Sequence, residues 1–276
     1  MLVVATLFII NLGITGFEIV LDLLTKKQRR WKDSLANCAI FFVSQVIERT
    51  AFASLGFVAL LPFFILTPLH IPMTVWTWII ALLAADFTYY WMHRLEHSHR
   101  ILWASHGVHH SSEDYNLTVG FRLSLIEGFF EWAFLVPMIL IGFNPFQAIV
   151  ALVIVAQYQH WIHTERIGKL GWLDEVFNTP SAHRVHHGSN RQYLDKNYGG
   201  ILMIWDKMFG TFQREDEKVV YGLTRNINTN NPIKIIFVEF GRIWDDLMKC
   251  RNMRDRVKII FGGLSWRPDY FPKRDR

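Results

Sequence analysis

Twelve histidines stand in this 276-residue chain, and ten of them fall into four short groups. The groups are His93 with His97, His106 with His109 and His110, His160 with His163, and His183 with His186 and His187. On a helix, residues at i, i+3 and i+4 share a face, so each group can present two or three imidazoles to one point. Neutral imidazole is a common ligand for iron, zinc, copper and nickel. Ten ligands are too many for one ion. Two octahedral ions offer about twelve positions and leave room for oxygen or water, so ligand number favours a binuclear centre. Zinc sites usually take three or four protein ligands, which makes a zinc hydrolase a poor fit.

The other candidates carry less weight. His70 and His99 lie outside the groups, and a lone histidine near an apolar run is usually a satisfied packing residue. His160 closes an apolar run, where anchoring competes with ligation. Asp86, Tyr90, His93 and His97 are spaced to share one helix face. Asp86 is therefore expected to accept a hydrogen bond from a ligand imidazole and fix its tautomer. An ionisable residue inside a membrane segment is a functional candidate by default. Glu165, just after His163, is a second such candidate, and Glu127 and Glu131 are weaker ones.

The elements that must position these groups are apolar. No Asp, Glu, Lys or Arg occurs from Thr50 to Ala85 or from Phe146 to His163. About 20 apolar residues suffice to span a bilayer core as a helix. Charged residues make up 19% of the chain, below the roughly 25% usual in soluble domains. A soluble chain of this size could bury one such helix, not several. The expected fold is all-α: an integral-membrane bundle of about four to five spans in hairpins, topped by a cytosolic, histidine-rich helical cap. Residues 1–163 would form the membrane part with the first histidine groups, and residues 164–276 the cap that completes the site.

Residues 2–24 read as the first span. No basic stretch precedes them, which argues against a removed signal peptide. Glu18 and Asp22 share a face that should point into the bundle. The basic run of Lys26, Lys27, Arg29, Arg30 and Lys32 marks the following loop as cytosolic. Residues 35–66 read as one helix of about 48 Å, or as an interfacial helix joined to a span, with Glu48 and Arg49 near the cytosolic end. Thr67 to Pro72 is a turn, and residues 73–92 return to the cytosol. Residues 124–141 and 146–163 form a second hairpin. This path puts all four histidine groups on one face of the membrane.

Residues 232–249 predict an amphipathic helix, with Asn231 as N-cap and Pro232 at the first position. Ile236, Phe240, Ile243, Trp244 and Leu247 share a face that either packs on the cap or lies in the membrane interface. The net charge of +5 brackets hydrophobic runs, and no nucleic-acid motif accompanies it. Cys38 and Cys250 are far apart and imply neither a disulfide framework nor a thiolate zinc site.

The histidine order between membrane hairpins resembles the fatty acid hydroxylase and sterol desaturase superfamily, and within it the alkylglycerol monooxygenase branch. The stretches that carry the resemblance run from Asp86 to His93, His109 to Asn116, Trp161 to Glu165, Asn178 to His187, Asp195 to Gly200 and Ile204 to Thr211. Together they cover roughly residues 80–225. The resemblance implies a non-haem di-iron monooxygenase that uses O2. His93, His97, His106, His109, His110, His183, His186 and His187 match its histidine boxes, and His163 a further histidine of similar enzymes. His160 departs from the branch pattern. That branch is associated with tetrahydropterin as reductant, and other branches draw electrons from small external carriers. The expected partners are thus a membrane lipid, with an ether lipid as first guess, O2 and an electron donor.

Two rivals share the sequence features. A lipid or sterol desaturase would use the same ligands, and product mass separates it from a hydroxylase. A metal transporter should place ligands along a path near the membrane midplane, whereas these cluster at helix ends.

Overall fold

The computed structural model describes residues 2–47, 53–124 and 126–271. The main helices are α1 (Leu2–Leu24), α2 (Trp31–Ile47), α3 (Ala53–Leu66), α4 (Val75–Ser98), α5 (Arg100–His110) and α6 (Glu127–Phe134). They continue as α7 (Val136–Leu140), α8 (Pro145–Trp161), α9 (Pro180–His186), α10 (Ile204–Phe209), α11 (Pro232–Lys249) and α12 (Met253–Phe261). Among the described residues pairing of the β type is confined to isolated bridges, so the fold is all-helical.

The first helix shows an inverted sense of burial. Asn11, Thr15, Glu18 and Asp22 lie on one face and are buried, while Ile9 is 67% and Phe17 68% exposed. A helix in water buries its apolar face; here the polar stripe faces protein and the apolar face is bare. Among the described residues, α1 is the helix both long and apolar enough to cross a membrane, and Leu55–Leu66 is a shorter apolar stretch.

Helices α4 and α8 form the spine. Ala81 and Ala85 on α4 and Ala148 and Ala151 on α8 belong to one core cluster, and such small residues let helix backbones approach closely. Thr74 starts α4 through a reciprocal capping box with Thr77. The helix then runs past the apolar segment and ends at Ser98, carrying His93 and His97 on its last turns.

Within the 35–66 segment α2 is described to Ile47 and α3 from Ala53; Glu48 and Arg49 lie outside the described residues. One expectation changes in detail. The 124–141 segment is not one rod but the short pair α6 and α7, of 8 and 5 residues. Pro137 explains the break, because it has no N–H to donate to the preceding turn and its ring crowds that turn.

Beyond α8 the chain is mostly irregular and folds over the end of the spine. Helix α11 packs through Ile235 and Ile236 against Ala36, Ile40 and Val108. Its Ile243 joins Ala104 of α5 and Ile259 of α12 in a neighbouring cluster. Trp244 does not share this packed face and is 63% exposed.

Candidate metal centre

Four elements deliver nine imidazoles to one buried region. Helix α4 supplies His93 and His97, α5 supplies His106, His109 and His110, the end of α8 supplies His163, and α9 with its C-cap supplies His183, His186 and His187. They divide into two groups, one of His93, His97, His106, His110 and His186, the other of His109, His163, His183 and His187. Within each group the potential ligand atoms lie within 4.8 Å of one another.

The Nε2 atoms converge. His93 and His106 approach to 3.0 Å, His97 and His110 to 3.1 Å, and His186 and His110 to 3.1 Å. In the second group His163 Nε2 lies 3.0 Å from His183, 3.1 Å from His109 and 3.2 Å from His187. An octahedral ion with bonds of about 2.1 Å sets neighbouring donor atoms about 3.0 Å apart, so this spacing suits a shared metal.

The opposite ring nitrogens decide the tautomers. His93 Nδ1 donates to the Tyr198 carbonyl at 3.0 Å, His186 Nδ1 to the Lys196 carbonyl at 2.9 Å, and His163 Nδ1 to the Gln159 carbonyl at 2.7 Å. A carbonyl only accepts, so the proton sits on Nδ1 and the lone pair on Nε2. His106 Nδ1 likewise donates to Glu127 at 2.7 Å. The close Nε2 pair of His93 and His106 is therefore lone pair against lone pair, which a cation between them stabilises. The donor set fits a pair of metal ions.

Burial first, and neighbouring imidazoles second, hold His109, His110, His183 and His187 well below the usual histidine value. Burial brings His186 down to about 3. Rings of this kind are neutral near pH 7, the form that ligates metal.

The remaining candidates fall elsewhere. His160 is outside both groups; its Nε2 lies 2.7 Å from Thr15 Oγ1, tying α8 to α1. Glu165 is half-exposed and paired with Lys27 at 3.5 Å. Asp86 does not touch a ligand imidazole. It accepts from the Ile201 N–H at 2.6 Å, the Leu202 N–H at 3.2 Å and Trp205 Nε1 at 2.9 Å. Asp206 accepts from the neighbouring N–H groups of Tyr198 and Gly199 at 2.8 and 2.7 Å. The two carboxylates thus hold the loop whose Tyr198 carbonyl orients His93. Gly200 is required at the crossing, since a Cβ there would lie 2.5 Å from Val155 and 2.6 Å from Asp86.

Sequence reasoning ranked Glu127 too low. It is buried on His106, with Glu96 also 3.4 Å from His106 Nδ1. Two acids four residues apart in an apolar segment, Glu127 and Glu131, were the available signal. The backbone carbonyls of Gln159, Lys196 and Tyr198 had none.

A second network positions α5. Arg122 donates to Asp33 at 2.9 Å, to Asn37 at 2.7 Å and to the Val108 carbonyl at 3.0 Å. It thereby fixes the last turn of α5 beside His109 and His110. Glu18 of α1 accepts from Thr164 at 2.6 Å and from the Leu117 N–H at 2.8 Å. Asp22 pairs with Arg29 at 2.8 Å and also with Arg166. The polar stripe of α1 therefore binds the segments on either side of the histidine pocket.

Residues 78–211 match the fatty acid hydroxylase family, and this stretch holds all nine converging histidines. It is a fatty acid hydroxylase domain. The chain is 49% identical to human alkylglycerol monooxygenase over 193 residues, which are 70% of this chain and 43% of the relative. It is 33% identical to an ornithine lipid hydroxylase of Rhizobium tropici over 49% of this chain and 41% of that protein. It is 27% identical to a Delta(7)-sterol 5(6)-desaturase of Schizosaccharomyces pombe over 52% of this chain and 42% of that protein. The matched part thus spans less than half the length of these relatives. No solved structure matches the chain.

Proposed function

We propose that the chain is a membrane-embedded di-iron monooxygenase that inserts one oxygen atom from O2 into a lipid alkyl chain, with an ether lipid as the first substrate to test. The observation that carries this reading is the pair of buried imidazole groups inside a fatty acid hydroxylase domain. The similarity to an alkylglycerol monooxygenase and to a lipid hydroxylase supports the substrate class.

Two irons held by the five and four histidines would supply O2 activation and the oxidising power to attack an unactivated C–H bond. The residues of the chain do the rest. Carbonyls and Glu127 hold Nδ1 protons so that Nε2 lone pairs face inward. Burial of the rings keeps water from the centre and limits side reactions. The outward apolar faces of α1 and α4, with Phe17, Trp76, Ile80 and Leu83 exposed, would meet lipid. In this reading α1, α4 and α8 belong to a bundle of about four to five spans, with the histidine groups at its cytosolic end. An external donor, a reduced pterin by the same similarity, would supply electrons.

Purified protein in lipid, loaded with iron and given labelled O2, a reduced pterin and a panel of ether and acyl lipids, tests the proposal. A lipid should gain one labelled oxygen atom. Loss of two hydrogens instead would favour the desaturase reading, which the similarity to the sterol desaturase keeps open. No labelled lipid with any donor, at full metal occupancy, would reject the monooxygenase reading.

A further inference from the structure

Helix α11 carries two apolar faces, and only one is used for packing. Ile235, Ile236 and Ile243 are buried against α2 and α5. Ile233, Phe237, Trp244 and Met248 are all exposed. Their spacing of four, seven and four residues puts them in one outward stripe. Helix α12 repeats the arrangement: Ile259 is buried, while Met253, Val257 and Phe261 form an exposed stripe at four-residue spacing.

Basic residues outnumber acidic ones along one edge of the stripes, where the exposed Asp245 after Trp244 is the exception. Four exposed apolar residues are each followed by an exposed basic one: Ile233 by Lys234, Met248 by Lys249, Met253 by Arg254 and Val257 by Lys258. One residue is about 100° around a helix, so these cations stand along the same edge of both stripes. The height of the pair in the molecule is also defined. Helix α2 begins at Trp31, just past the end of α1 at Leu24, and α11 packs directly on α2 through Ala36 and Ile40. Leu35 and Phe42 on the outward side of α2 are each 68% exposed, so the bare apolar surface continues from α2 towards α11.

We infer that α11 and α12 lie in the plane of a phospholipid leaflet bearing anionic headgroups, with the apolar stripes at the acyl boundary and the basic edge among the phosphates. An exposed apolar stripe edged by Lys and Arg is the pattern of an interfacial helix, and juxtamembrane cations add attraction to anionic lipid. The inference rests on the membrane reading of α1 and extends it to the C-terminal helices, which would hold the histidine pocket at the level where a lipid chain enters.

Site-directed spin labelling of the full chain tests this, in a background of Cys38→Ser and Cys250→Ala, in nanodiscs of phosphatidylcholine with phosphatidylglycerol. Labels go at Phe237→Cys, Trp244→Cys and Val257→Cys. Ile9→Cys on the exposed face of α1 serves as the lipid reference and exposed Arg191→Cys as the aqueous one. Collision rates with oxygen, which partitions into lipid, and with a water-soluble nickel chelate are compared. The three labels should resemble Ile9→Cys, with chelate access several-fold below that at Arg191→Cys. Chelate access equal to that at Arg191→Cys would overturn the inference. So would shielding from both reagents, which would mean that a second copy or another protein covers the stripe. An aqueous signal at Ile9→Cys would instead reject the membrane reading itself. Unchanged contact in discs of phosphatidylcholine alone would overturn the anionic assignment.

Discussion

His160 and His163 are three residues apart in one group, yet only His163 reaches the other imidazoles. This separation gives a direct prediction. Metal analysis should find about two ions per purified chain, by ligand count. His186→Ala and His163→Ala should each reduce that content, whereas His160→Ala should leave it unchanged and lower thermal stability through loss of the Thr15 contact. Full occupancy in both His186→Ala and His163→Ala would remove these residues from the ligand set. Glu127 gives a second prediction. A carboxylate on the far nitrogen of a metal-bound histidine typically contributes about 10–100-fold in metal affinity. Glu127→Ala should weaken metal binding by about that factor, with Glu127→Gln intermediate because an amide oxygen still accepts from Nδ1. Equal affinity in wild type and both variants would show that His106 does not depend on this contact.

At the scale of elements, α5 is held by an ion pair rather than by apolar packing alone. Arg122 is fully buried and paired with Asp33. Removing one partner of a buried pair strands the other charge and costs about 3–5 kcal/mol. Arg122→Ala should therefore lower the unfolding midpoint markedly, and the double variant Arg122→Met with Asp33→Leu should recover part of the loss. Equal midpoints for Arg122→Ala and wild type in chemical denaturation would refute the clamp. The same logic explains why α6 and α7 tolerate a break at Pro137: Glu127 must reach His106 from the first turn of α6, and no rigid 124–141 rod is needed for that.

For the molecule as a whole, the neutral imidazole cluster sets an acid limit. His186 is brought down to about 3 by burial, and His109, His110, His183 and His187 are lowered in the same direction. An unfolded chain takes protons on these rings at about pH 6.5. Between that value and about 3 the unfolded state binds more protons, so stability falls as pH falls. The metal-free protein should hold a constant melting temperature above about pH 7.5 and lose it steadily towards pH 5. A melting temperature that rises on acidification would show that the rings are charged in the folded state.

The sequence by itself determined the ligand types and their local register, because i, i+3 and i+4 spacing on a helix depends only on helix geometry. It also located the inward polar face of α1, since Glu18 and Asp22 at four-residue spacing can share only one side. Which histidines meet was a different matter. His110 and His186 are 76 residues apart and their Nε2 atoms lie 3.1 Å apart, a contact that only tertiary packing around the pocket creates. Packing of α8 on α1 likewise set His160 against Thr15, and the fold of residues 201–205 onto α4 turned Asp86 towards backbone N–H groups and Trp205 instead of an imidazole. The partners of the ligand rings were hidden for a further reason. Three of them are carbonyl oxygens, and every residue has a carbonyl, so side-chain chemistry cannot mark the ones that matter. The division of nine histidines into groups of five and four was likewise decided by tertiary packing, which alone brings distant chain segments within bonding distance.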